Sequence, residues 1–368
     1  MRVALLPVVL LITLSLLACN QEAEESDLDD EPADQPRITA SIPLLVGTPG
    51  SVAVDPANEK IYVAYTDVDV MSVLDTNSLE LTATVDLPAG GLHSVAVNPA
   101  SGKVYVANGG DGTVFVIDGE TNEITKELRI PVASVNGVRT EIAANAAMNK
   151  IYVSRVDEDD NGLTFGYGLT IIAGDRDSVI GKVDLIGPAH AMSFDPITND
   201  LYAVPQGWAQ TGPSCPEEHR LVRIGADTDA LEECLNFGHN PLGVAVSPDG
   251  TTLYHFADSY DAITNEGFTT LSVVELSTGR SLATVEYTEF TPQAITTHPD
   301  SGRMYILADD SLDSGNRDDL AQLLAMDGTT VAWSLPIGKS TVAFAPDMES
   351  GRFYIVTDER TLEVIETQ

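Results

Sequence analysis

SVAVNPASGKVYVANGGDGTVFVID, residues 94–118, reads as strand, Asn-Pro turn, strand, Gly-rich turn, strand. Val95 and Val97 precede Asn98-Pro99. Val104, Tyr105 and Val106 follow, then Gly109-Gly110-Asp111-Gly112, then Val114 to Ile117. Short β-branched and aromatic runs between Gly, Pro, Asn and Asp clusters are strand and hairpin signals. One such sheet cannot bury both of its apolar faces, so it needs neighbours of its own kind.

The chain supplies them. A tyrosine marks the second strand of each copy, at Tyr62, Tyr105, Tyr152, Tyr202, Tyr254, Tyr305 and Tyr354, 43 to 52 residues apart. That period belongs to four-stranded propeller blades. A second mark lies upstream: Asp55-Pro56, Asn98-Pro99, Asp195-Pro196, Ser247-Pro248, His298-Pro299 and Ala345-Pro346, with Asn145-Ala146 in the third copy. Proline fixes φ and donates nothing to a ladder, which places it in the tight turn between the first two strands. The expected fold is all-β, a seven-bladed β-propeller of four-stranded antiparallel blades. The last copy has only three strands before Thr367-Gln368, while Arg37 to Leu45 alternates like a strand ahead of the first copy. Together they make one sheet, with Arg37–Leu45 as its outer strand, which closes the ring and removes two exposed edges.

Residues 1–19 stand apart from this repeat. Arg2, the apolar run Val3–Leu17 and Leu16-Leu17-Ala18-Cys19 resemble a bacterial lipoprotein signal with its lipobox. That resemblance implies cleavage before Cys19 and lipid on its sulfur; an ordinary cleavable signal or an uncleaved anchor is the other reading. Asn20 after the cysteine resembles outer-membrane sorting. Residues 20–36 carry eight carboxylates and no base, which favours an extended tether. The domain plan is therefore a signal (1–19), an acidic tether (20–36) and a propeller (37–368). Localisation follows as the bacterial envelope, lipid-anchored at the outer membrane, either periplasmic or surface-exposed.

The chain has Lys+Arg 19 against Asp+Glu 56, a net charge of -37. Such a chain repels nucleic acid, whose binding depends on neutralising phosphates with Lys and Arg. Cys215 and Cys234 flank one hairpin of the fourth copy, and in an exported protein they read as a disulfide. A metal pair or free thiols is the alternative, although no second Cys or His pair completes a zinc site.

From the third copy onward the loop between second and third strands grows: Asp157 to Tyr167, Pro205 to His219, Asp258 to Thr269, and Asp309 to Asp319. Antiparallel order puts all of these on one face, and one-sided insertions mark a binding face. Gly47–Asn77 (GTPGSVAVDP, IYVAYTD, VLDTN) and Gly91–Asn122 (SVAVNP, VYVANGGDG, VFVIDGETN) resemble the YVTN-type β-propeller repeat family. The resemblance implies the fold and leaves the function open, since such folds host surface proteins, binding modules and enzymes.

The candidates for chemistry lie at the mouth of the channel on the insertion face. His93 and His190 share one repeat position, His239 lies three positions earlier in its copy, and Arg139 is close to the same level. Gly50, Thr140, Leu242, Gln293 and Ser340 are expected as their counterparts. A His cluster there would hold a transition metal such as Cu or Zn, or act as acid and base; isolated histidines bonded to loop carbonyls are the bland alternative. His298, in the turn position, and His255, within a strand, are expected to be structural. Asp157, Asp159 and Asn161 before Gly162 open like a Ca²⁺ loop, but Gly168 stands where the closing acid belongs. Asp309, Ser311, Asp313 and Asp318 form a looser oxygen-rich set. No nucleophile elbow, Walker loop, zincin helix or dinucleotide fingerprint occurs. The reading that follows is a monomeric binding or scaffold module for an envelope protein or glycan, leaning away from catalysis. The alternative is a metal-dependent or His-assisted enzyme at the channel mouth, a lactonase-like hydrolase or a redox protein.

Overall fold

The computed structural model describes residues 36–44, 46–87, 93–130, 140–158, 164–205, 220–236, 240–261, 266–288, 290–310 and 321–367. Strand β1 is Arg37–Pro43. Blade 1 holds β2 (Pro49–Asp55), β3 (Lys60–Tyr65), β4 (Val70–Asp75) and β5 (Leu81–Asp86). Blade 2 holds β6 (His93–Asn98), β7 (Lys103–Asn108), β8 (Thr113–Asp118) and β9 (Ile124–Arg129). In blade 3 come β10 (Ile142–Asn145), β11 (Lys150–Glu158), β12 (Thr164–Ala173) and β13 (Ser178–Leu185). Blade 4 follows with β14 (Ala189–Phe194), β15 (Leu201–Pro205), β16 (Arg220–Gly225) and β17 (Ala230–Asn236). Blade 5 has β18 (Asn240–Val246), β19 (Thr252–Asp261), β20 (Glu266–Glu275) and β21 (Arg280–Tyr287). Blade 6 has β22 (Phe290–Thr297), β23 (Met304–Asp310), β24 (Gln322–Asp327) and β25 (Thr330–Pro336). Blade 7 is β26 (Thr341–Asp347), β27 (Arg352–Thr357) and β28 (Thr361–Glu366), completed by β1.

These are seven four-stranded antiparallel sheets in a ring, and the seventh is closed by the N-terminal strand as the repeat pattern requires. Arg37 stands opposite Glu366, Ile42 opposite Leu362 and Pro43 opposite Thr361. The strand ends at Pro43 rather than Leu45; Leu44 turns inward, its N–H donating to the Arg360 carbonyl at 2.7 Å.

Alternation along the second strands builds the core. Ile61, Val63 and Tyr65 pack toward blade 7, whereas Tyr62 and Ala64 pack onto blade 2. The same division recurs round the ring: Tyr105 reaches blade 3, Tyr152 blade 4, Tyr202 blade 5, Tyr305 blade 7 and Tyr354 blade 1. Tyr254 joins the cluster between blades 5 and 6. Each tyrosine is thus a bolt into the next blade, and seven apolar clusters fill the seven seams. Burying an aromatic side chain contributes roughly 1.5–3 kcal/mol.

A polar latch accompanies the bolt. Two residues before the tyrosine, Lys60 donates to the carbonyls of Gly119 and Glu120, at 2.6 and 2.9 Å, in the next blade's outer turn. Lys103 reaches Gly174 and Asp177, Lys150 reaches Ala226 and Asp229, and Arg352 reaches the Thr76 carbonyl. Tyr105 adds its hydroxyl to Asp177 at 2.8 Å. Turn carbonyls that would otherwise lack donors are satisfied across each of these seams.

Two expectations need correction. The turn residue of blade 7 is Asp347, seven before Tyr354 like Asp55 before Tyr62; its carboxylate accepts from the Glu349 and Ser350 amides. Pro346 sits one step earlier, within β26 opposite Phe353. Inner strands are sheet edges on the channel, where proline's missing N–H is tolerated. The insertions of blades 3 and 5 are also largely strand: Asp157 pairs with Gly166, and β19 and β20 stay in register out to Asp261 opposite Glu266. Cross-strand pairing absorbs residues whose composition reads as loop.

Candidate functional site in the central channel

All seven blades converge on a cavity of about 330 Å³. Its wall is made by the innermost strands, and a repeated backbone feature shapes it. Register shifts place a β-bulge at Gly50, His190, Leu242, Gln293 and Val342, each twelve residues before its tyrosine. A bulge re-aims a side chain relative to the ladder, and all five residues line the cavity. Proline precedes three of them, at Pro49, Pro241 and Pro292. The blade 7 counterpart of His190 is therefore Val342, not Ser340. Blade 2 contributes Ser94 and blade 3 Glu141 instead.

His190 is the best-defined polar side chain here. Its Nε2 lies 3.0 Å from the Leu242 carbonyl, the bulge residue of the next blade. Nδ1 is shielded from water and, among the described residues, makes no hydrogen bond of good geometry, although the Val204 carbonyl acts on the ring. Burial pushes the imidazole below its usual pKa, against an opposing pull from the Leu242 and Val204 carbonyls. The neutral ring, donating from Nε2, bridges blades 4 and 5.

His93 is the first residue of β6, its backbone opposite Asn108. The side chain of His93, and the whole of Arg139 and His239, lie outside the described residues. Glu141, next to Thr140, is the one charged side chain among the described residues of the lining. Glu141 stands two residues beyond Arg139 and eleven before Tyr152, the same count that separates Ser51 from Tyr62 and Ser94 from Tyr105. Ser51, whose Oγ accepts from the Val95 amide at 3.2 Å, ties blade 1 to blade 2 at this level.

Asp157 lies in β11 and is ion-paired with Arg155, a fully buried guanidinium that also holds Asp184 across the sheet. Between Arg155 and Asp184 stands Gly168, where a Cβ would strike the Val183 carbonyl. Gly168 therefore clears the path of an arginine. Asp159, Asn161, Ser311, Asp313 and Asp318 lie outside the described residues, as do Cys19 and Cys215. Cys234 is on β17 opposite Val222. Among the described residues no group of three or more His, Cys, Asp or Glu is placed to hold a metal. Among them, too, no helix is long and apolar enough to cross a membrane.

His298 occupies the turn position, and its Nδ1 accepts from the amides of Asp300 and Ser301 at 3.2 and 3.3 Å. His255 is fully buried in β19.

No family model and no curated protein matches this chain. Among solved structures it is similar to Kuenenia stuttgartiensis Hydrazine Synthase, with a TM-score of 0.67 and 14% identity, covering 89% of this chain and 96% of that one. At that identity the likeness is one of fold: the chain is a seven-bladed β-propeller.

Proposed function

We propose that this chain is a lipid-anchored binding module of the bacterial envelope, a YVTN-like propeller tethered through Cys19. It would present a protein or glycan ligand with the face on which the hairpins lengthen. The observation that carries the proposal is one-sided growth. The hairpins β11–β12 and β19–β20 run to nine and ten residues per strand, against six in the second and third strands of blades 1 and 2. Paired strands project further than the compact blades and hold their side chains in fixed alternation, which lowers the entropy lost on binding. The solved neighbour is an enzyme by name, but the described channel of this chain offers one carboxylate and a histidine already committed to a carbonyl. Catalysis there has the weaker support.

The test is to replace residues 258–269 by a two-residue turn and compare crosslinked partners in intact cells by quantitative mass spectrometry. Loss of a defined partner on trimming supports the proposal; an unchanged partner set removes it. Palmitate labelling that survives Cys19→Ala would remove the anchor.

A further inference from the structure

The channel does not end at the bulges. Toward the opposite face it opens into a second cavity of about 350 Å³ between the inner strands of blades 4, 5 and 6. Met192, Val244 and Ile295 line both cavities, so the two adjoin. Its wall carries an apolar strip, Met192, Phe194, Val244 and Ile295, beside the polar Ser193, Thr296 and Thr297, with Pro196, Pro248 and Pro299 at the lip. Ile197 stands beside it with 64% of its surface exposed.

The turns around this opening carry charge of one sign. The seven turns joining first and second strands are residues 56–59, 99–102, 146–149, 196–199, 248–251, 299–302 and 348–351. They contain Glu59, Asp249, Asp300 and Glu349, and no Lys or Arg. Just beyond these turns Lys60, Lys103, Lys150 and Arg352 are drawn outward to the neighbouring blade, as described above. Arg303 is held by Asp327 at 2.9 Å.

We propose that this opening docks a cationic peptide segment of a partner protein, with one large apolar side chain in the groove and Lys or Arg against the rim. Complementarity of charge selects the occupant. A second copy of this chain would bring the same acidic rim against itself. The chain's own segment 20–36 carries eight carboxylates and no base, so it is repelled as well. A cationic segment gains on both counts, since the apolar anchor loses contact with water while its flanks meet unopposed carboxylates.

The probe is a fluorescein-labelled Lys-Lys-Ser-Phe-Ser-Lys-Lys peptide, titrated by fluorescence anisotropy against the full chain in detergent at low salt. Binding is expected, weakening as salt screens the rim. Replacing Phe by Ser in the probe should cost about tenfold in Kd, as should Ile197→Asp or the pair Asp300→Lys with Glu349→Lys. The pair Asp69→Lys with Asp358→Lys makes the same change in net charge on the other face, and should leave Kd within about twofold. All of these residues are exposed, and matching thermal unfolding curves confirm that the variants fold. Equal losses from the two charge pairs would reduce the effect to net charge and overturn the proposal. Indifference to Phe→Ser, no binding at low salt, or self-association of the chain through this face in sedimentation would overturn it too.

Discussion

Replacing Glu363 by Gln tests how the ring is held shut. Glu363 lies on β28 between β1 and β27, with only 3% of its side chain exposed. Its Oε1 accepts from Lys339 and Thr361, each at 2.6 Å, and from Ser41 of the closing strand at 2.8 Å. Burial alone would raise its pKa, but the bonds from Lys339, Thr361 and Ser41 outweigh it and hold the carboxyl below the ordinary glutamate value. Breaking a buried pair costs about 3–5 kcal/mol. Lys339 is 22% exposed and keeps Glu359 at 3.9 Å, so about 2–3 kcal/mol is the better figure here. In a domain of this size that lowers Tm by about 4–6 °C. It also raises hydrogen exchange of the β1 amides roughly 30- to 150-fold, provided that β1 opens as a unit. The sign with pH is fixed. A depressed carboxyl pKa stabilises the fold fully above the unfolded value of about 4.3 and loses that contribution as pH falls through the lower folded value. Wild type and Glu363→Gln should therefore differ at pH 7, and the difference should shrink steadily as the pH falls below the unfolded value. Exchange of β1 within twofold of wild type at pH 7, or a difference that persists in acid, would show that Glu363 does not hold the closure.

Lys103→Met should cost about 1–2 kcal/mol in urea unfolding by removing the latch to Asp177, and an unchanged midpoint would refute the latch. Gly168→Ala should cost at least about 2 kcal/mol, because the added carbon meets the Val183 backbone and the Arg155 guanidinium; a neutral result would misplace Arg155. His298→Asp restores the commoner turn residue and should be neutral or mildly stabilising by thermal unfolding, whereas His298→Leu should cost about 1 kcal/mol. Burial pushes Tyr202 up to about 12 and raises Tyr62, Tyr105 and Tyr152 further. Once the pH passes about 10 the unfolded chain loses phenolic protons that the fold retains, so stability should fall by about 1.4 kcal/mol per pH unit for each; phenolate absorbance rising smoothly from pH 10 without unfolding would contradict this.

Blade number and closure were legible because they rest on residues whose physics is local: a buried tyrosine per blade, a φ-fixing proline and an orphan N-terminal strand. The turn of blade 7 is harder to place from sequence, because Pro346 looks like the other turn prolines but lies in β26. Counting seven back from Tyr354 finds Asp347, whose carboxylate does the capping. The lysines and Arg352 before the tyrosines were in plain sight, yet their partners belong to the next blade and no within-repeat pattern reveals them. The bulges were hidden for a related reason. His190 and Leu242 differ in every property except their place in the ladder, and that place is set by pairing with the second strand. Acid-rich hairpins read as loops because composition reports solvation, not hydrogen bonding.

The direction of β1 has a mechanical consequence. Arg37 faces Glu366 and Pro43 faces Thr361, so the polypeptide joins the propeller on the side away from the lengthened hairpins. Tension applied at Arg37 runs along the axis of β1 and loads its rungs to β28 together, in shear, instead of peeling them one at a time. If Cys19 is held in lipid, drag on the body would be borne by the very strand that seals the ring, in the orientation where a short strand resists most.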